Sequence, residues 1–222
     1  MDTNMQNQIT TAVEHEIKLT VTKDTVIPDL TEISYCTQQL EPTIHHLSAH
    51  YYDTADLSLT RAKITLRKRT GGKDDGWHIK LPHKLNRLEL HHRIINGEKD
   101  IPATLLKQVD HITKGAKLLA IAQINNERHE TLLADANGDI LAEFCDDHVT
   151  ASCFLPHGSD STWREWELET TNTALKQDIA VQLLDSATKI LTQTGAQPAQ
   201  SPSKLLRALG DSYQYVISQQ NN

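Results

Sequence analysis

Two carboxylates one residue apart, Glu14 and Glu16, are followed at the same spacing by Lys18, and Arg67 and Arg69 repeat that spacing with guanidinium groups. On an extended chain, residues two apart point the same way and stand about 6 to 7 Å apart. Two guanidinium forks at that separation suit neighbouring phosphoryl groups, which they grip through paired hydrogen bonds. The carboxylates are hard oxygen ligands for Mg²⁺ or Mn²⁺ and repel phosphate unless a cation stands between them. The combination asks for a divalent metal together with a polyphosphate.

The elements that must position these groups are mostly strands. Val13, Ile17, Leu19 and Val21 alternate with Glu14, Glu16, Lys18 and Thr20, the period-two pattern of a strand with one charged face. Pro28 interrupts the next segment, a short amphipathic helix is expected after it, and Thr43 to Asp53 reads as extended. A helical turn is expected at Leu57 to Ala62. Ile64 to Thr70 sets Ile64 and Leu66 against Arg67 and Arg69, and the glycines after it mark a hairpin. The next two strands set Trp77, Ile79 and Leu81 against His78 and Lys80, then Leu88, Leu90 and Ile94 against Arg87, Glu89, His91 and Arg93. A helix starts at Pro102, Lys117 to Leu133 is extended, and Asn137-Gly138 turns the chain into a strand over Ile140 to Asp147. Trp163 to Glu169 alternates Glu165, Glu167 and Glu169 against Trp166 and Leu168. Ala174 to Thr194 reads as one long amphipathic helix ended by Gly195 and Pro198, and a last short helix begins near Ser203 with Lys204 and Arg207 on nearby turns.

A single polar strand face is usually a face in water. Here the polar faces gather Arg, Lys and Glu on many strands, while the opposite faces carry Trp, Ile, Leu and Val, which must pack on the helices. The prediction is an α+β fold: a closed antiparallel β-barrel of about eight strands, its edges removed by closure, with helices packed outside. Charges lining such an interior are costly to desolvate unless they pair or bind ions. The barrel is therefore expected to hold water and to receive a charged ligand.

Composition bounds the function. With 22 Lys and Arg against 29 Asp and Glu, the net charge is −7, which argues against a protein that coats nucleic acid. No apolar run approaches the ~20 residues of a membrane span, and the polar start lacks the basic and apolar segments of a leader; a cytoplasmic protein is expected. Cys36, Cys145 and Cys153 lack paired C-x-x-C spacing and read as reduced thiols. Of twelve histidines none stands in H-E-x-x-H, and the neighbours in His45-His46 and His91-His92 face opposite ways on strands. No repeat or linker divides the chain, so one domain over residues 1–222 is expected, with 1–11 and about 214–222 as flexible tails.

The motifs resemble, in order, those of the CYTH or triphosphate tunnel metalloenzyme superfamily. They run through Glu14-His15-Glu16-Ile17-Lys18, Tyr52-Asp53-Thr54, Leu66-Arg67-Lys68-Arg69, Trp77 to Pro82, and Arg87-Leu88-Glu89. Arg128, Asp146-Asp147, Glu165 to Glu169 and Ser203 to Arg207 complete the set. The resemblance implies an antiparallel tunnel in which Lys18, Arg67, Arg69, Lys80, Arg87, Arg128, Lys204 and Arg207 hold triphosphate oxygens. It assigns Glu14, Glu16, Asp147, Glu165 and Glu167 to one or two divalent metals, with Glu14, Glu16, Glu165 and Glu167 as the catalytic set. Tyr52, Glu89, Asp146 and Glu169 are supporting residues; Asp147 is preferred to Asp146 because it shares parity with Glu143. The implied activity is Mg²⁺- or Mn²⁺-dependent hydrolysis of inorganic triphosphate. Class IV-type adenylate cyclase activity, thiamine triphosphate hydrolysis and non-catalytic binding of polyphosphate are the alternatives. The expected partner is a triphosphate or polyphosphate small molecule, with neither nucleic acid nor membrane, in a monomer or homodimer.

Overall fold

Period-two alternation turns into strands almost everywhere it occurs. The computed structural model describes residues 9–83, 86–94 and 100–220. Its strands are β1 (Ile9–Glu14), β2 (Glu16–Val21), β3 (Gln38–Gln39), β4 (Thr43–Asp53), β5 (Thr65–Thr70), β6 (Gly76–His83), β7 (Asn86–Arg93), β8 (Leu119–Ala134), β9 (Ile140–Cys153), β10 (Asp160–Thr170) and β11 (Gln197–Pro198). The helices are α1 (Ser58–Arg61), α2 (Ala103–Thr113), α3 (Asn172–Lys176), α4 (Ala180–Gln193), α5 (Lys204–Leu209) and α6 (Asp211–Ser218). None is long and apolar enough to cross a membrane.

The strands form one curled antiparallel sheet in the order β1-β7-β6-β5-β4-β8-β9-β10-β2-β11, with β3 added to the far end of β8. β1, at one border, and β2, covered at the other border only by the short β11, come from a single stretch of chain broken only at His15. β1 pairs with β7, setting Glu14 opposite Arg87, and β2 pairs with β10, setting Glu16 opposite Glu169. Gly71 ends β5 with φ +81, and a Cβ there would collide with the His46 carbonyl oxygen, so only glycine lets the β4–β5 pair come this close.

The apolar strand faces are covered as amphipathicity requires. Leu19, Val21, Phe144, Trp166 and Leu168 pack beneath Leu183, Ala187 and Leu191 of α4, while Leu66, Trp77, Ile79 and Leu90 pack with Leu105 and Val109 of α2. A third cluster lies on the other, concave face: Ala49, Tyr51, Ile121, Ile124, Val149 and Ala151 meet Leu205, Ala208 and Leu209 of α5. The expectation of helices only on the outside is thus corrected, because this end of the concave face is apolar and α5 is what buries it.

Three other expectations change. The long helix over Ala174 to Thr194 is two helices, broken where Asp178 takes φ +57, a left-handed conformation that a short polar side chain tolerates better than most. After Pro28 the chain makes only a 3-10 turn at Leu30–Glu32, where the Thr31 amide donates to the Asp29 carboxylate at 2.9 Å. The supposed tails are shorter: residues 9–11 pair within β1, and α6 extends to Ser218 because Tyr213 and Val216 pack on the concave-face cluster. Residues 1–8 and 221–222 of those tails lie outside the described residues.

Candidate functional site

Strand parity carries the charged faces to the concave side, where they surround a cavity of about 340 Å³. Lys18, Arg67, Arg69, Lys80, Arg87, Arg128 and Lys204 line it together with Glu14, Glu16, Glu89, Glu167 and Glu169. These groups come from β1, β2, β5, β6, β7, β8, β10 and α5, so the cavity exists only when the whole sheet has formed.

One end is built on an acidic triad. Asp147 and Glu165 are cross-strand partners on β9 and β10, and with Glu167 they bring carboxylate oxygens within 4.8 Å of one another. Lys204 Nζ stands among them, 2.7 Å from Asp147, 2.6 Å from Glu165 and 2.8 Å from Glu167. Arg128 grips Asp147 with Nε and Nη2, both at 2.7 Å, and reaches Glu167 at 2.6 Å; Lys18 lies 2.9 Å from Glu167. Ser203, whose hydroxyl accepts from the Leu206 amide, caps α5 and fixes the turn that aims Lys204 inward. Three converging carboxylates around an ammonium form an oxygen-rich donor set of the kind a divalent cation takes. The residues present therefore fit a metal.

The other end sets Arg67, Arg69 and Lys80 against Glu14, Asp74 and Glu89. Arg67 reaches the Tyr51 hydroxyl at 3.3 Å and Glu89 at 3.5 Å, Lys80 pairs with Glu14 and lies 3.7 Å from Glu89, and Arg69 pairs with Asp74. The Nε atoms of Arg67 and Arg69 are buried without a hydrogen-bond acceptor among the described residues. Two unmatched guanidinium donors in one cavity are the signature of a place for anionic oxygens.

Electrostatics separates the carboxylates into two kinds. Burial alone would raise Asp147, yet the Lys204 and Arg128 charges hold its carboxyl at about 2. Glu167 is likewise held well below its ordinary range: burial opposes this, but Lys18, Lys204 and Arg128 prevail. Glu169 goes the other way, pushed up to about 8 by burial and by the neighbouring charges of Glu14 and Glu16. Burial also raises Glu14, against the pull of Lys80.

Several sequence assignments shift. Asp146 faces outward, holding Arg164 with two contacts of 2.8 Å and accepting from Trp166 Nε1 at 3.1 Å, so it is Asp147 that enters the triad. Tyr52 also turns outward and packs on Trp77 with ring centroids 5.2 Å apart; its neighbour Tyr51 lines the cavity and binds Arg67. Arg207 lies behind Glu165, at 3.6 Å, and stacks over Trp163. Glu14 pairs with Lys80, and Glu16 pairs with Lys18, which also holds Glu167 of the triad. Sequence reasoning passed over His45, Lys73, Asn126, Glu130 and Glu143, all of which line the cavity. Parity with Tyr51 on β4, Arg128 on β8 and Asp147 on β9 is the signal that finds four of them, while Lys73 lies in a turn.

Residues 12–201 match the family model described as the CYTH domain. Two uncharacterized proteins of Mycobacterium tuberculosis, from strains CDC 1551 / Oshkosh and ATCC 25618 / H37Rv, are each 38% identical over 208 residues. That stretch covers 89% of this chain and 40% of each relative, so the chain spans well under half of their length. A candidate adenylate cyclase from Bacillus halodurans shares the fold, with a TM-score of 0.59 at 18% identity, covering 89% of this chain and 97% of that one. A candidate adenylyl cyclase from Hippeastrum, described as having a dominant triphosphatase activity, gives a TM-score of 0.45 at 15% identity, covering 87% and 93%.

Proposed function

The chain belongs to the CYTH domain family, and from that premise we propose that it is a metal-dependent hydrolase of triphosphates, with inorganic triphosphate as substrate and Mg²⁺ or Mn²⁺ as cofactor. The observation that carries the reading is a cavity lined by cationic side chains and by Glu167, which joins the buried Asp147 and Glu165 in one acidic triad. Binding a polyanion needs only the cations; a buried acidic triad beside them adds a metal and with it catalysis.

We read the sheet as a closed tunnel of about eight strands, since β1 and β2 seal β7 to β10 across His15. The family match over residues 12–201 supports a single domain. The protein acts in the cytoplasm, as a monomer or homodimer, on a small molecule and not on nucleic acid or membrane.

In this reading Arg67, Arg69 and Lys80 hold the phosphoryl oxygens at one end and Arg128, Lys18 and Lys204 hold them at the other. Their fixed geometry keeps the chain of phosphates extended and the terminal phosphorus open to in-line attack. Asp147, Glu165 and Glu167, with Glu16 beside them on β2 and Glu14 at the end of β1, would hold one or two metals, which would supply charge neutralisation of the phosphoryl oxygens. A carboxylate of this group orients the attacking water. Tyr51, one of the rings lining the cavity, is committed through its hydroxyl to Arg67, which favours the inorganic substrate over one needing a base stacked in the site.

The test is to incubate the protein with Mg²⁺ or Mn²⁺ and, in turn, tripolyphosphate, ATP, thiamine triphosphate and long polyphosphate, measuring phosphate, pyrophosphate and cyclic AMP. Tripolyphosphate is expected to be cleaved fastest. Cyclic AMP as main product, or tight binding without turnover, overturns the proposal. Glu16→Gln is expected to abolish metal-dependent turnover, whereas Arg69→Ala raises KM with a smaller effect on kcat.

A further inference from the structure

The convex face of β4, β8 and β9 carries a cluster that the cavity does not use. His46 faces Glu127 across the β4–β8 pairing, and Glu127 faces His148 across the β8–β9 pairing. His129 stands two residues along β8 on the same face, its ring 5.3 Å from that of His148. The Glu127 carboxylate receives His129 Nε2 at 3.0 Å on one oxygen and lies 3.8 Å from His46 Nδ1 through the other. His148 Nε2 lies 3.4 Å from Asp146 Oδ2. We propose that His46, Glu127, His129 and His148 form a transition-metal site on the outer face of the sheet, of a chemistry suited to Zn²⁺ and separate from the oxygen-ligand site of the cavity.

The donor chemistry sets the class of metal. Three imidazoles and one carboxylate are a Zn²⁺ donor set, while Mg²⁺ prefers oxygen ligands and water. The strand register brings the four side chains into one row, since directly opposed residues on an antiparallel pair have Cβ atoms about 5 Å apart; their donor atoms do not converge within 4.8 Å as those of the acidic triad do, so the exposed rings must turn to close on an ion.

A rigid second layer is already present. Asp146 is buried and fixed by Arg164 and Trp166, and its Oδ2 lies 3.4 Å from His148 Nε2, so a held carboxylate stands behind this imidazole as one does behind many ligating rings. A shallow depression bordered by His46, Ser48, Asn125, Glu127, His148 and Thr150 gives an ion room for water ligands. The side chains of His46, Glu127 and His148 are 78%, 49% and 47% exposed, so closing them onto an ion displaces no core.

The experiment uses the full chain without an affinity tag, stripped with a chelator and held in millimolar Mg²⁺ to occupy the cavity site, then titrated calorimetrically with Zn²⁺. Co²⁺ replaces it for visible absorption. A single saturable Zn²⁺ per chain is expected, with a Co²⁺ spectrum showing nitrogen ligation. His148→Ala and Glu127→Gln should each weaken the affinity by at least about tenfold at unchanged Tm, His46→Ala should also weaken it, and Glu167→Gln should leave it intact. The proposal fails if no saturable site survives in excess Mg²⁺, if all three outer-face variants bind as the parent does, or if Glu167→Gln alone removes the site.

Discussion

Glu169 shows how a lumenal carboxylate differs from one in water. Its carboxyl is raised from 4.5 to about 8 by burial and the neighbouring Glu14 and Glu16, so between those values the folded chain binds a proton that the unfolded chain has released. Stability contributed by this group is full below pH 4.5 and is lost as pH rises through about 8. In chelator-treated protein, denaturant unfolding should therefore show stability declining over that window, and Glu169→Gln should flatten the decline. A decline of the same slope in the variant would place its origin elsewhere. Asp147 works in the opposite sense: held at about 2 against an ordinary 3.8, it stabilises above that ordinary value and stops doing so only in strong acid. Both residues were legible in the sequence, Glu169 by alternation with Glu165 and Glu167 and Asp147 by parity with Glu143. Tyr52 was misassigned because its place came from a motif, while parity along β4 from His45 through Leu47 and Ala49 reaches Tyr51.

At the scale of elements, the Tyr52-Asp53-Thr54 motif finds its physical use at the end of β4. Asp53 is 1% exposed. Its carboxylate accepts from the amides of Thr54, Leu59 and Thr60 at 2.7, 2.9 and 2.8 Å and from the Thr60 hydroxyl at 2.7 Å. It thereby closes the turn that places Leu57 and Leu59 in the core. Asp53→Ala strands several buried donors and should cost about 3 kcal/mol, read as a lower denaturation midpoint with an unchanged m-value, while Asp53→Asn, which keeps one acceptor oxygen, should recover part of it. A cost below about 1 kcal/mol for Asp53→Ala would remove this role. Strands such as β4 and β10 were legible because one face meets apolar partners and the other meets charge. The α3–α4 break was not, since Asp178 adopts its left-handed turn without a Gly or Pro to announce it, and only packing against the sheet selects it.

For the whole molecule, the question is how so many charges stay in one cavity before any ligand arrives. Both signs come from many strands and pair within the lumen, along one strand as Lys18 does with Glu16 or between strands as Arg128 does with Asp147. Lys204 is central to this, because α5 is anchored through Leu205, Ala208 and Leu209 in the concave-face cluster and delivers one ammonium to three carboxylates. Burial works against that charge, but Asp147, Glu167 and Glu165 hold it above its ordinary range. Lys204→Met keeps the alkyl stem and removes the cation, leaving Arg128 and Lys18 to balance the triad. The metal-free variant should lose up to about 3 kcal/mol, seen as a lower Tm. Saturating Mg²⁺ should then return a positive charge to the same carboxylates, so the gain in Tm on adding Mg²⁺ should be larger in Lys204→Met than in the parent. Equal gains in the two proteins would mean that ammonium and metal do not share the triad, and that the acidic cluster serves only to seat α5.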